Sequence, residues 1–176
     1  GWAPKKQERF LLDATLPPAE RGLIHAAVNR GFLYERNVER TGHGIMRTFR
    51  FWSDAEKTEY VQRCMWLVDT LEGWGFAVCF GYGAVLGVLR SQDLIPHDDD
   101  IDIIVSAPRD RYPTIAAMMA DIAARLEQGG STIRGNYRAH RHVQREGWAN
   151  SVDLFFGFAE GPHVSWFPGP RHALLA

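Results

Sequence analysis

Apolar residues recur at helical spacing in three parts of this chain and crowd into short runs in several others. Leu16-Pro17-Pro18 opens the first predicted helix, because proline suits a first helical turn and Gly31 suits its end. Leu23, Ile24, Ala27 and Val28 form its apolar stripe. Residues 32–51 are irregular and aromatic, which predicts a packed connector. Ser53-Asp54-Ala55-Glu56 is a capping box, in which serine and glutamate satisfy each other's orphan amides. The helix it starts carries Tyr60, Val61, Cys64, Leu67, Val68 and Leu71 on one face and ends at Gly73. The run over 76–80 is too short and too uniformly apolar for an amphipathic helix, so a buried strand is predicted. Gly81 and Gly83 then allow a tight turn whose amides can approach a ligand, and 84–90 predicts a short helix with its N-terminus aimed at an anion. A second strand is predicted over 101–105. A helix follows over 113–128, with Ile115, Met118, Met119, Ile122 and Leu126 inward and Gly129-Gly130 as the stop. Beyond it the chain turns β-rich, with strands predicted over 132–134, 139–145, 151–156 and 163–167.

Composition narrows the function classes. At 176 residues the length fits one domain, and a net charge of -1 marks no general nucleic-acid or membrane-surface binder. The two cysteines, Cys64 and Cys79, have no framework spacing; both fall in apolar patterns and are expected in the core. The longest uncharged stretch, 74–89, falls short of the ~20 residues that span a bilayer, so no transmembrane segment is expected. No signal peptide appears, and a cytoplasmic location is expected. The first residue is glycine rather than methionine, so a leader or neighbouring domain of a larger protein is expected to precede it.

The chemistry concentrates in Asp98-Asp99-Asp100-Ile101-Asp102, four carboxylates within five residues. Left unpaired they repel one another, so a cation belongs there. In an extended chain Asp98, Asp100 and Asp102 share one face, while Ile101, Ile103 and Val105 share the other and can be buried. Oxygen donors at alternate positions on a rigid strand suit a hard divalent cation. An EF-hand loop is excluded, because its sixth and twelfth positions would be Ile103 and Arg109 instead of glycine and glutamate. A dinucleotide fingerprint fits poorly, since its acid follows the second strand whereas these acids precede theirs. A solvated acidic turn is the bland reading, and the buried strand that follows argues against it. Asp153, alone among apolar neighbours in Val152-Asp153-Leu154-Phe155, is costly there unless paired with a nearby arginine or bound to metal. Taken with the upstream acids, a third metal ligand is the better reading. Arg134, Arg138, His140, Arg141, His142 and Arg145 form a local basic stretch, read either as a solvated strand or as a patch that meets phosphates.

These residues together resemble a known pattern. Gly83-Ala84-Val85-Leu86-Gly87-Val88-Leu89-Arg90, followed by Leu94-Ile95-Pro96-His97-Asp98-Asp99-Asp100-Ile101-Asp102, resembles the LicD/fukutin family, which reads G-T-L-L-G-x-x-R and then x-I-P-W-D-D-D-I-D at the same spacing. Val152-Asp153-Leu154-Phe155 is similar to that family's later acid-bearing strand. The likeness is specific over 81–105 and indistinct over the first fifty residues. Ala84 replaces a threonine, His97 a tryptophan and Asp93 a glycine; none of these departures removes an expected metal ligand, and all bear on which donor or acceptor is expected. The chain also ends sooner after Pro168-Gly169-Pro170 than such proteins usually do, so part of an acceptor site is expected elsewhere.

The resemblance implies an α+β fold: a nucleotidyltransferase-like mixed β-sheet flanked by helices, over 53–176, behind a helical N-terminal extension over 1–52. It implies a metal-dependent transferase that moves a phospho-alcohol or phospho-sugar from a CDP-activated donor, such as CDP-choline, CDP-ribitol or CDP-glycerol, to a glycan hydroxyl. Asp100, Asp102 and Asp153 would hold Mg²⁺ or Mn²⁺ on the donor pyrophosphate. Asp98 would complete the catalytic set as a further ligand or as general base. Gly81, Gly83, Ala84 and Arg90 would bind the donor phosphates. Two alternatives stay open: transfer of the nucleotide itself, and a non-catalytic nucleotide- or metal-binding module of a larger glycan-synthesis enzyme.

Overall fold

The computed structural model describes residues 16–161, 163–166 and 173–174. The first fifteen residues of the expected extension and the expected strand end at Phe167 lie outside them. Helix α1, Pro18–Val28, begins at its prolines as expected. It does not stop at Gly31: the backbone continues through a π turn, Asn29–Leu33, and a 3-10 turn, Tyr34–Arg36, before Asn37 reverses it in the left-handed region. No residue of α1 is buried and Leu23 is 71% exposed, so its apolar stripe is not a core face.

Strands β1 (Glu39–Thr41) and β2 (Gly44–Met46) form a hairpin within the segment expected as an irregular connector. Phe49 follows, buried against Trp52 and Tyr60 and part of the main core. Its amide donates to the carbonyl of Asp98 at 2.8 Å, and that of Arg50 to the carbonyl of Pro96 at 2.7 Å. The N-terminal part is thereby stitched to the loop that carries the acids.

The capping box starts α2 (Asp54–Gly73), with both reciprocal bonds formed. Tyr60, Cys64, Leu67, Val68 and Leu71 are buried along it, while Val61 is partly exposed. Next come β3 (Ala77–Phe80), α3 (Tyr82–Ser91) and β4 (Asp102–Pro108), then α4 (Ile115–Gln128), which the Thr114 side chain caps. Strands β5 (Ser131–Arg134), β6 (His140–Arg145), β7 (Val152–Glu160), β8 (His163–Trp166) and β9 (Ala173–Leu174) complete the order. Strand β3 is half-exposed rather than buried, because it forms an edge of the sheet. Cys79 is therefore only half-buried, whereas Cys64 is fully in the core.

The sheet runs β3-β4-β7-β6-β5, with β8 also paired to β7 and β9 to β8. Strands β4 and β7 are parallel and the other pairs antiparallel, so the sheet is mixed and the class is α+β as expected. Alternation sorts its two faces. Ile103, Val105 and Ala107 of β4 and Val152, Leu154 and Phe156 of β7 pack into one core with Leu67 and Leu71 of α2 and Met118, Ile122 and Leu126 of α4. Asp102 and Asp153 have the opposite parity and project from the other face. Among the described residues, no helix is long and apolar enough to cross a membrane.

Candidate metal centre

Asp102 opens β4, and parallel pairing sets it directly against Asp153 of β7. Two acids fifty-one residues apart thus become neighbours by register. Asp100 lies just before the strand, and one carboxylate oxygen from each of Asp100, Asp102 and Asp153 lies within 4.8 Å of the others. Tyr60 fixes the approach of both segments. Its buried hydroxyl accepts from the Ile101 amide at 3.2 Å and donates to the Ser151 carbonyl at 3.0 Å, the residues adjoining the two acid-bearing stretches.

Charge crowding is severe at this point. Burial, then the charges of Asp100 and Asp153, push Asp102 up to about 7. Burial, then Asp153 and Asp99, push Asp100 up to about 6. Asp153 goes the other way: burial alone would raise it, but hydrogen bonds from His140 and His142 outweigh that and hold it below the ordinary carboxylate range. Among the described residues no lysine or arginine pairs with any of the three. Three close, half-buried carboxylates without a basic side-chain partner of that kind are the donor set a hard divalent cation requires, so the residues present fit Mg²⁺ or Mn²⁺.

The remaining expected residues fall in different places. The chain from Asp98 to Ile101 is not yet strand, so the alternation assumed from Asp98 onward begins only at Asp102. Asp98 instead turns back towards the start of α3: its Oδ1 accepts from the Asp99 amide at 3.1 Å, and a Cβ on Gly83 would overlap its Oδ2. Burial raises the Asp98 carboxyl above its ordinary value. Asp99 meets His43 of the β1–β2 turn, Oδ1 to Nδ1 at 3.2 Å. Burial lowers the His43 pKa, but the bond to Asp99 and the charges of Asp99, Asp100 and Asp98 raise it above 6.5 overall. Gly81 caps α3 without a side-chain bond, and the left-handed conformation of this turn falls on Tyr82 (φ 45°), not on a glycine. A Cβ at Gly81 would lie 3.0 Å from the Ile104 side chain, which would have to give by a few tenths of an ångström. Ala84 is buried in the first turn of α3. Arg90 is exposed in its last turn, seven residues or about 10 Å along the axis from Gly83. The structure therefore gathers Gly81, Gly83, Ala84 and the acids at one end of α3 and leaves Arg90 at the other.

The basic stretch divides by function. Arg141 donates to the carbonyls of Tyr137 and His140, and Arg145 lies over Trp66 and donates to the Gly129 carbonyl. Both arginines hold local structure. The histidines turn to the acid: His140 Nε2 is 3.0 Å from Asp153 Oδ2, and His142 Nδ1 is 2.6 Å from Asp153 Oδ1. Asp153 is thus paired with two histidines and not with an arginine. The signal was the H-x-H spacing, which puts two imidazoles on one strand face. It becomes informative only once β6 is known to lie beside β7.

Residues 75–172 match the family model described as LicD/FKTN/FKRP, nucleotidyltransferase domain. The match covers β3 to β8 and includes all of the clustered acids. No curated protein matches the chain.

Proposed function

The chain belongs to the LicD/FKTN/FKRP family, and from that membership we propose that it is a metal-dependent transferase moving a phospho-alcohol or phospho-sugar from a CDP-activated donor to a glycan hydroxyl. The convergence of Asp100, Asp102 and Asp153 carries this reading. Bound there, Mg²⁺ or Mn²⁺ would neutralise the donor pyrophosphate and stabilise the departing nucleotide. The first-turn amides of α3 have no side-chain cap, so Gly83 and Ala84 present unsatisfied donors to a phosphate oxygen. Asp98, outside the three-carboxylate group but beside this turn, takes the proton of the acceptor hydroxyl; its raised pKa moves it towards the range of an effective base.

The experiment is a panel of CDP-choline, CDP-ribitol and CDP-glycerol with glycan acceptors, followed for nucleotide release with Mg²⁺ and with chelator. Metal-dependent CMP release with transfer of the phospho-alcohol is expected. A nucleotide left on the acceptor would instead establish nucleotidyl transfer. Metal-dependent nucleotide binding without turnover of any donor would favour a binding module.

A further inference from the structure

We propose that His140, His142 and Asp153 form a second metal site, of mixed nitrogen and oxygen donors, that takes a first-row transition ion beside the all-oxygen site. It rests on the reading of Asp153 as a metal ligand and extends it. The geometry follows from the sheet. Antiparallel pairing sets His142 opposite Asp153 and His140 opposite Phe155. Alternate positions share a face, so both imidazoles and the carboxylate project together. One ligand atom from each of the three lies within 4.8 Å of the others, and all three residues are partly buried.

The rings are held in position before any ion arrives. His140 is stacked between Phe155 (centroids 4.3 Å apart, planes 6° apart) and Tyr137 (5.1 Å, 20°). His142 meets His140 edge-on at 4.6 Å. Such packing fixes ring orientation at small entropic cost on binding. Two imidazoles and a carboxylate suit Zn²⁺, Mn²⁺ or Co²⁺, whereas Mg²⁺ prefers oxygen alone. Each oxygen of Asp153 faces one histidine, and the same carboxylate belongs to the group with Asp100 and Asp102. Asp153 therefore belongs to both groups, and its carboxylate would be shared between a hard site and a borderline one.

The two sites separate by mutation. Mn²⁺ stoichiometry by equilibrium dialysis, with pulsed electron paramagnetic resonance for imidazole nitrogen coupled to the bound ion, is measured on the full chain. Wild type, His140→Gln/His142→Gln and Asp100→Asn/Asp102→Asn are compared, and circular dichroism with melting in chelator verifies that each variant folds. Two ions with nitrogen coupling are expected for wild type. The histidine variant should lose one ion and the coupling, and the aspartate variant should lose one ion and keep the coupling. Absence of nitrogen coupling in wild type, or an unchanged ion count in the folded histidine variant, would show that the histidines only hydrogen-bond Asp153 and would overturn the second site. An aspartate variant that binds as many ions as wild type would overturn the all-oxygen site instead.

Discussion

Asp102 sits where burial and three like charges meet, and replacing it with asparagine removes the charge but keeps the shape. Nucleotide release should fall by about 10³-fold, since metal stabilisation of a leaving group is worth several kcal/mol. Melting temperature in chelator should stay level or rise, because a crowded carboxylate has been neutralised. The same crowding sets a pH dependence. With Asp100 and Asp102 raised to about 6 and about 7, the folded protein keeps protons that the unfolded chain has released. Metal-free stability should therefore decline as pH rises from about 4 to about 7. His43, raised above 6.5, acts in the same direction at the top of this window, while the lowered Asp153 acts below it. Melting curves in chelator across this range would show the decline, and Asp102→Asn should flatten it. Asp99 offers a contrast, because its carboxylate meets His43 and lies outside the group of Asp100, Asp102 and Asp153. Asp99→Asn should leave Mn²⁺ affinity nearly unchanged; a loss as large as that of Asp100→Asn would place Asp99 among the ligands.

Between elements, the decisive contact is one hydroxyl of α2. Tyr60→Phe would leave the Ile101 amide and the Ser151 carbonyl unsatisfied in a buried place, at a cost of about 1–3 kcal/mol by denaturant unfolding. Metal affinity should fall as well, since both bonds locate the chain beside an acid. Helices α2 and α4 were readable from periodicity and caps alone, because those signals are local. The convergence of Asp102 with Asp153 was readable because a carboxylate next to apolar strand residues calls for a partner. Sheet order was not, since pairing joins residues distant in sequence. That is why His140 and His142 read as members of a basic stretch: alternation gives a side chain its face, and only the neighbouring strand tells what it meets there. The β1–β2 hairpin was missed because three-residue strands carry too few positions for a period. Gly31 failed to end its helical segment because the backbone kept a bonded π geometry through it. Asp98 departed from its expected face because the turn before it delays the strand until Asp102.

For the molecule as a whole, the proposed ligands come from separate segments, so an ion held by them would bind the folded state and have no comparable site in the unfolded chain. Melting temperature should rise with Mg²⁺ or Mn²⁺ concentration, by the equivalent of about 2.7 kcal/mol at a hundredfold excess over Kd. Asp153→Asn should abolish that rise; a persistent rise would place the bound ion elsewhere.

The position of β7 has a further consequence, in the order of synthesis. The strand at the middle of the sheet comes after β3, β4, β5 and β6 in the chain, so both halves of the sheet are synthesised before the piece that joins them exists. Until then β4 and β6 each present a bare edge able to pair with another chain. A released chain truncated before Val152 would hold Asp100 and Asp102 without Asp153, and would both lack one acid of the candidate ion site and be prone to associate through those edges. The third acid of the candidate site arrives with the strand that joins the sheet, so the cluster cannot be assembled before the sheet is joined.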